Sequence, residues 1–261
     1  MQTTIFLTLI GIFAGIFINY ISDVLPHTRR FSQPICQSCG KALTWSRYLT
    51  LQPCPHCGKN RSLRMWLVLI LTPASFVYLG WFPPKSLSLP LSLIVLTYFA
   101  VITVIDLEHR LILHPTSLFG AVLGLVTGTS IYLRQSEVFG AVGTSLLGGA
   151  IGFGLMFLLY KVGEWVARYR ARKLQAAGQA DDEEEALGGG DVYLAGVLGL
   201  MLGKLIILAL LYGAALGGIV GLLLVVVMLI RRRYASEALM TFIPYGPYYI
   251  LSAAYILFQP A

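Results

Sequence analysis

Long apolar runs alternate along this chain with short polar segments that hold nearly all of its charge. A helix that crosses a bilayer needs about 20 predominantly apolar residues. Eight stretches approach or meet that length: 5–22, 65–81, 87–105, 115–133, 138–160, 192–212, 214–230 and 239–258. Each predicts a transmembrane helix, so the expected fold class is an all-α polytopic membrane protein. The sixth and seventh runs are divided only by the glycine-rich stretch Gly213 to Gly218, which reads as a tight turn. Small residues recur at four-residue spacing, as in Gly11/Gly15, Gly120/Gly124/Gly128, Gly148/Gly152, Gly199/Gly203 and Gly217/Gly221. That spacing lets membrane helices approach closely, and packing within one chain is the plainer use of it.

Composition agrees with the pattern. The chain is 57% hydrophobic and only 12% charged, against about a quarter charged for an ordinary soluble domain. The net charge of +7 does not call for nucleic acid, because excess Lys and Arg in a membrane protein report topology. With the N-terminus outside, the inside segments are 23–64, 106–114, 161–191 and 231–238. They hold seven, one, five and three basic residues, 16 of the 19 in the chain. The asymmetry predicts both termini outside and places Asp106 and Asp191 on the same, cytoplasmic, side. Residues 1–28 contain no Lys or Arg. They lack the basic region of a secretory signal, and the first run is expected to be a retained helix.

All four cysteines fall in the first cytoplasmic segment, as Cys36-Gln-Ser-Cys39-Gly-Lys and Cys54-Pro-His-Cys57-Gly-Lys. Two such knuckles suit a tetrahedral structural zinc with four thiolate ligands, the glycine allowing the turn around the metal. Two disulfides are the alternative, and they need an oxidising compartment. His56 lies inside a knuckle as a spacer.

Asp106 ends the third apolar run, and Asp191 stands where Gly188-Gly189-Gly190 meets the sixth. Ionisable groups at such places are costly unless satisfied or used. Taken singly, Asp106 could pair with Arg110 four residues on, and Asp191 could cap the following helix. The topology, however, puts both at one membrane face. Two aspartates close together share one proton. The ionised member can then take a proton from water while its partner donates to a scissile carbonyl. Three glycines before Asp191 would let an extended peptide approach the backbone. Glu108, flanked by His109 and Arg110, reads as a solvated surface residue.

Together these residues resemble the type IV prepilin peptidases, polytopic GxGD aspartyl proteases of the bacterial inner membrane. Gly188-Gly189-Gly190-Asp191 is similar to the GxGD motif, and Asp106 to Pro115 is similar to the first aspartate motif. Gly15-Ile-Phe-Ile-Asn19 with Leu25-Pro26 is similar to the family's opening, and Ile243-Pro244-Tyr245-Gly246-Pro247 to its Pro-Phe-Gly-Pro segment. The paired knuckles resemble its cytoplasmic zinc loop. The chain departs from the pattern at Tyr193, where the family has Lys, and at His114-Pro115-Thr116.

The resemblance implies an enzyme that cleaves the basic leader from type IV prepilins or pseudopilins, in pilus assembly or type II secretion. It implies Asp106 and Asp191 as catalytic residues, Gly188, Gly189 and Gly190 at the substrate, and Cys36, Cys39, Cys54 and Cys57 as zinc ligands. It also implies N-methylation of the new terminus with S-adenosylmethionine as donor, with Asn19 and the zinc-loop surface as candidates for that side. The division expected is a first helix at 1–22, a zinc loop at 23–64 and a peptidase core at 65–261. The partners expected are the prepilin substrate and the lipid bilayer, with no nucleic acid. A transporter using the two aspartates as an ion relay, a membrane anchor whose zinc loop recruits a partner, and a peptidase without methyltransferase activity stay open on the residues alone. The acidic run Asp181 to Glu185 either attracts the basic leader or is a solvated linker.

Overall fold

The computed structural model describes residues 2–134, 136–176, 188–230 and 244–260. Among them the regular structure is helical: α1 (Gln2–Thr28), α2 (Trp45–Leu49), α3 (Leu63–Trp81), α4 (Leu89–His109), α5 (His114–Tyr132), α6 (Val138–Ala176), α7 (Gly189–Leu202), α8 (Ile206–Ile230) and α9 (Gly246–Leu257). Among the described residues, five stretches are both long and apolar enough to cross a membrane: Gln2–Thr28, Leu63–Trp81, Leu89–His109, Val138–Tyr169 and Gly189–Met228. The expected span at 115–133 is α5, a helix diluted by its glycines and hydroxyl residues. The expected span at 239–258 is described only from Pro244. The acidic run Asp181 to Glu185 and the segment 231–238 lie outside the described residues.

Contacts divide the chain into two units, Met1–Arg110 with Leu257–Ala261, and Leu111–Ile256. In the first unit α1 packs along α3 and against α4. Gly11 lets α1 close on Pro73, since a Cβ at Gly11 would stand 2.5 Å from the Pro73 Cα. The feet of α1 and α3 share one apolar core with the cysteine loop, built from Tyr20, Val24, Ile35, Cys36, Leu43, Tyr48, Cys54 and Met65. Ser88 precedes α4, Pro90 occupies its first turn, and Arg110 closes it at φ 52° with its N–H on the Asp106 carbonyl. A left-handed residue there stops the helix and satisfies one of its last carbonyls.

In the second unit α6 packs chiefly on α7, and α5 on both. Small residues make this approach close: a Cβ on Gly148 would run into Gly199 and Gly203, and one on Gly152 into the Ala195 carbonyl. The four-residue spacings thus serve packing within the chain.

One boundary differs from the sequence expectation. Gly213 to Gly218 is not a turn, because α8 runs through it without interruption from Ile206 to Ile230. The break falls at Gly203, whose φ of 57° ends α7 and opens a single 3-10 turn, Gly203–Leu205. Gly213 and Gly217 instead receive the rings of Tyr249 and Tyr245 against their bare Cα atoms. A glycine run in lipid costs a helix less than in water, because neighbouring helices pack onto it.

Candidate active site and metal centre

The two knuckles fold as matching turns. The Gly40 N–H donates to the Cys36 carbonyl and the Gly58 N–H to the Cys54 carbonyl, both at 2.8 Å. Gly40 and Gly58 sit at φ 69° and 67°, where a side chain would be strained. The turns bring all four sulfurs within 4.8 Å of one another. The Cys36–Cys57 and Cys39–Cys54 sulfur distances are both 3.7 Å. A tetrahedron of Zn–S bonds of about 2.3 Å sets its sulfurs about 3.8 Å apart, so the donor set fits that ion. A disulfide would need about 2.05 Å, and the cysteines are free.

Cys54 is lowered to about 6: burial raises it, and the backbone amides of His56 and Cys57 with the neighbouring sulfurs more than offset that. Cys39 is raised to about 11: the Lys41 amide lowers it, and burial with the other sulfurs outweighs that.

Beneath the knuckles lies a polar cluster. Asp23 is buried and pairs with the Arg64 Nη2, while the Tyr48 hydroxyl donates to its other oxygen at 2.8 Å. Arg64 Nη1 donates to Asn19 Oδ1 at 3.3 Å, and its Nε stands 3.0 Å from Glu108 Oε1. Gln37, between the first two cysteines, donates to Glu108 Oε2 at 3.3 Å. Glu108 is exposed, as expected, and its carboxylate also has a cationic and an amide partner. Asn19 belongs to the same cluster. It is fully buried, its amide nitrogen donating to the Met65 carbonyl and its oxygen accepting from Arg64. Nothing in the local sequence foretold these contacts, which join residues 25 to 71 positions apart. A cavity of about 80 Å³ lies beside this cluster, lined in part by Asp23, Gln37, Arg61 and Ser62.

Asp106 occupies the last turn of α4 in the first unit and is buried. Asp191 lies in the first turn of α7 in the second unit and is half-buried. It is not the cap of that helix, which is Gly188. A carboxylate in a first turn is favoured by the helix dipole. The three glycines are unequal: a Cβ on Gly188 or Gly189 meets nothing within 4 Å, whereas one on Gly190 would stand 2.8 Å from the Ile112 Cβ. None of the three has a positive φ. His114 and Tyr193, the two departures from the family pattern, lie edge to face with ring centres 5.3 Å apart.

Comparison with known proteins matches residues 93–222 to the type IV leader peptidase family. That span contains both aspartates. The chain is 27% identical over 234 residues to a prepilin leader peptidase/N-methyltransferase of Myxococcus xanthus (strain DK1622), covering 84% of this chain and 62% of that protein. It is also 27% identical to a protein of the same name from Pectobacterium carotovorum subsp. carotovorum, covering 95% of this chain and 90% of the relative. The chain thus spans less than two thirds of the first relative's length. No solved structure matches it significantly.

Proposed function

This chain belongs to the type IV leader peptidase family, and we propose that it is an aspartyl endopeptidase removing the basic leader from type IV prepilins or pseudopilins. The observation that carries the reading is that the family match embraces both Asp106 and Asp191. Each lies at a helix end, Asp106 in a last turn and Asp191 in a first. One carboxylate, ionised, takes a proton from water as it attacks the scissile carbonyl, and the other donates to the carbonyl oxygen. The catalytic pair acts on the cytoplasmic side of the inner membrane, where the positive-inside count places both residues. Gly188 and Gly189 leave room for an extended leader. Residues 65–261 form the peptidase core and residues 23–64 the metal loop.

Cys36, Cys39, Cys54 and Cys57 hold zinc, which organises the loop and has no part in peptide cleavage. The relatives' names carry a second activity, N-methylation of the mature terminus. We assign S-adenosylmethionine as its donor and place no residue against it.

The test is cleavage of a purified prepilin by the full chain in liposomes, with Asp106→Asn and Asp191→Asn alongside and the products weighed. Wild type should release the leader and each variant should lose at least a thousandfold in rate. A product heavier by one methyl group only when S-adenosylmethionine is present supports the second activity. Undiminished cleavage by both variants defeats the proteolytic reading and favours an ion relay.

A further inference from the structure

Arg64 joins three helices of the first unit. Its guanidinium reaches Asp23 and Asn19 on α1 and Glu108 on α4 from its own place near the start of α3. A planar fork of donors suits such a junction better than an ammonium would. The Arg64 side chain is only 15% exposed and that of Asp23 2%, so this pair already neutralises itself in a poorly solvated place. Glu108 is a second, less buried carboxylate on the same cation. It needs another reason to be there.

That reason lies in what Glu108 is attached to. It is the penultimate residue of α4, whose chain turns left-handed at Arg110. Last turns lack part of their hydrogen-bond ladder and fray unless held. Here the turn is held by Arg64 and Gln37 on Glu108, and by the His109 ring, edge-on to His27 at 5.3 Å. Asp106 is carried by that same turn, two residues earlier. Successive positions in a helix advance by about 100°, so Glu108 is anchored roughly opposite Asp106. Fixing one side of the turn fixes the rotation of the other.

We propose that Arg64 is a positioning residue for the peptidase: through Glu108 it holds the last turn of α4, and so aims the Asp106 carboxylate. The inference rests on the reading of Asp106 as one of the catalytic pair. Misplacement of a reacting group by about 1 Å can cost about a hundredfold in rate.

The experiment compares Glu108→Ala, Arg64→Ala, Arg64→Lys and the double alanine variant in full-length protein in liposomes, with Asp106→Asn as reference. Steady-state cleavage is read together with thermal midpoint and zinc content. Glu108→Ala and Arg64→Ala should each lower kcat by about 10- to 100-fold with KM within about twofold. The double variant should be no worse than the poorer single one, because both remove one link. Arg64→Lys should recover part of the loss. If Arg64→Ala does not fold, Glu108→Ala decides, since it leaves the Asp23–Arg64 pair intact. Wild-type kcat in Glu108→Ala, beside an inactive Asp106→Asn, overturns the positioning role alone. Losses that multiply in the double variant overturn it too, because Glu108 would then act independently of Arg64. An active Asp106→Asn instead overturns the underlying proteolytic reading.

Discussion

Gly190 and Ile112 are in contact so close that glycine is required: a Cβ on Gly190 would stand 2.8 Å from the Ile112 Cβ. Since Gly190 precedes Asp191 in the first turn of α7, crowding there shifts the aspartate. We predict that Gly190→Ala destabilises the protein by about 1–3 kcal/mol, the usual cost of overpacking, and lowers cleavage by tenfold or more. Gly188→Ala and Gly189→Ala meet open space and should fold as wild type does. Adding Ile112→Gly to Gly190→Ala removes the opposing Cβ and should restore part of the lost thermal midpoint. If the second substitution restores nothing, the steric account is wrong.

Tyr48 is almost wholly buried and donates to Asp23. Burial first, and then the Asp23 charge, push its phenol well above the usual range. The folded state therefore binds this proton more tightly than the unfolded chain does. The stability it contributes is whole below about pH 10, the ordinary tyrosine value, and declines as pH rises beyond it. Tyr48→Phe should cost about 1–3 kcal/mol at neutral pH, because a buried carboxylate oxygen loses its donor. The variant's unfolding midpoint should also fall less steeply than that of wild type above pH 10. Equal slopes in the two proteins would remove Tyr48 from the account.

Purified protein should contain about one zinc per chain, and Cys36→Ser with Cys54→Ser should lose it. Because the sulfurs scaffold the loop and take no part in the cleavage step, residual cleavage is expected within about tenfold of wild type. Part of the loss would come through Gln37, whose amide reaches Glu108. Elemental analysis beside the cleavage assay checks both halves. Complete loss of proteolysis in a variant that keeps its thermal midpoint would give the metal loop a larger part.

The acidic run Asp181 to Glu185 lies six residues before Asp191. If it draws in a basic leader, replacing its five acids by Asn and Gln should slow cleavage at low salt and matter little near 0.5 M, where screening is nearly complete. Identical rates for both proteins at low salt would leave it a linker.

The cysteine loop was legible in the sequence because its chemistry is local: each knuckle closes within five residues, and the spacing alone demands two matching turns. Helix α4 and the glycines before Asp191 were legible for a similar reason, a change from polar to apolar at a fixed place. Arg64 and Glu108 were not. Their partnership spans 44 positions and has no period, and the flanking His109 and Arg110 marked Glu108 as a surface residue without showing its partner. The glycines at 213–218 misled because glycine marks a turn in water but a place of contact between membrane helices, where Tyr245 and Tyr249 supply the missing bulk. Gly203, which does break the chain, sits among apolar residues with no polar signal beside it.

Each knuckle carries one buried sulfur and one exposed one, Cys36 with Cys39 and Cys54 with Cys57. The cluster therefore has an inner wall and an outer door. Peroxide or a competing chelator would reach Cys39 and Cys57 first and open coordination from the solvent side, while Cys36 and Cys54 stay packed against Tyr20, Val24 and Met65. Loss of the ion would leave a half-assembled seat, already anchored to the helices and ready for repair once the outer pair is reduced.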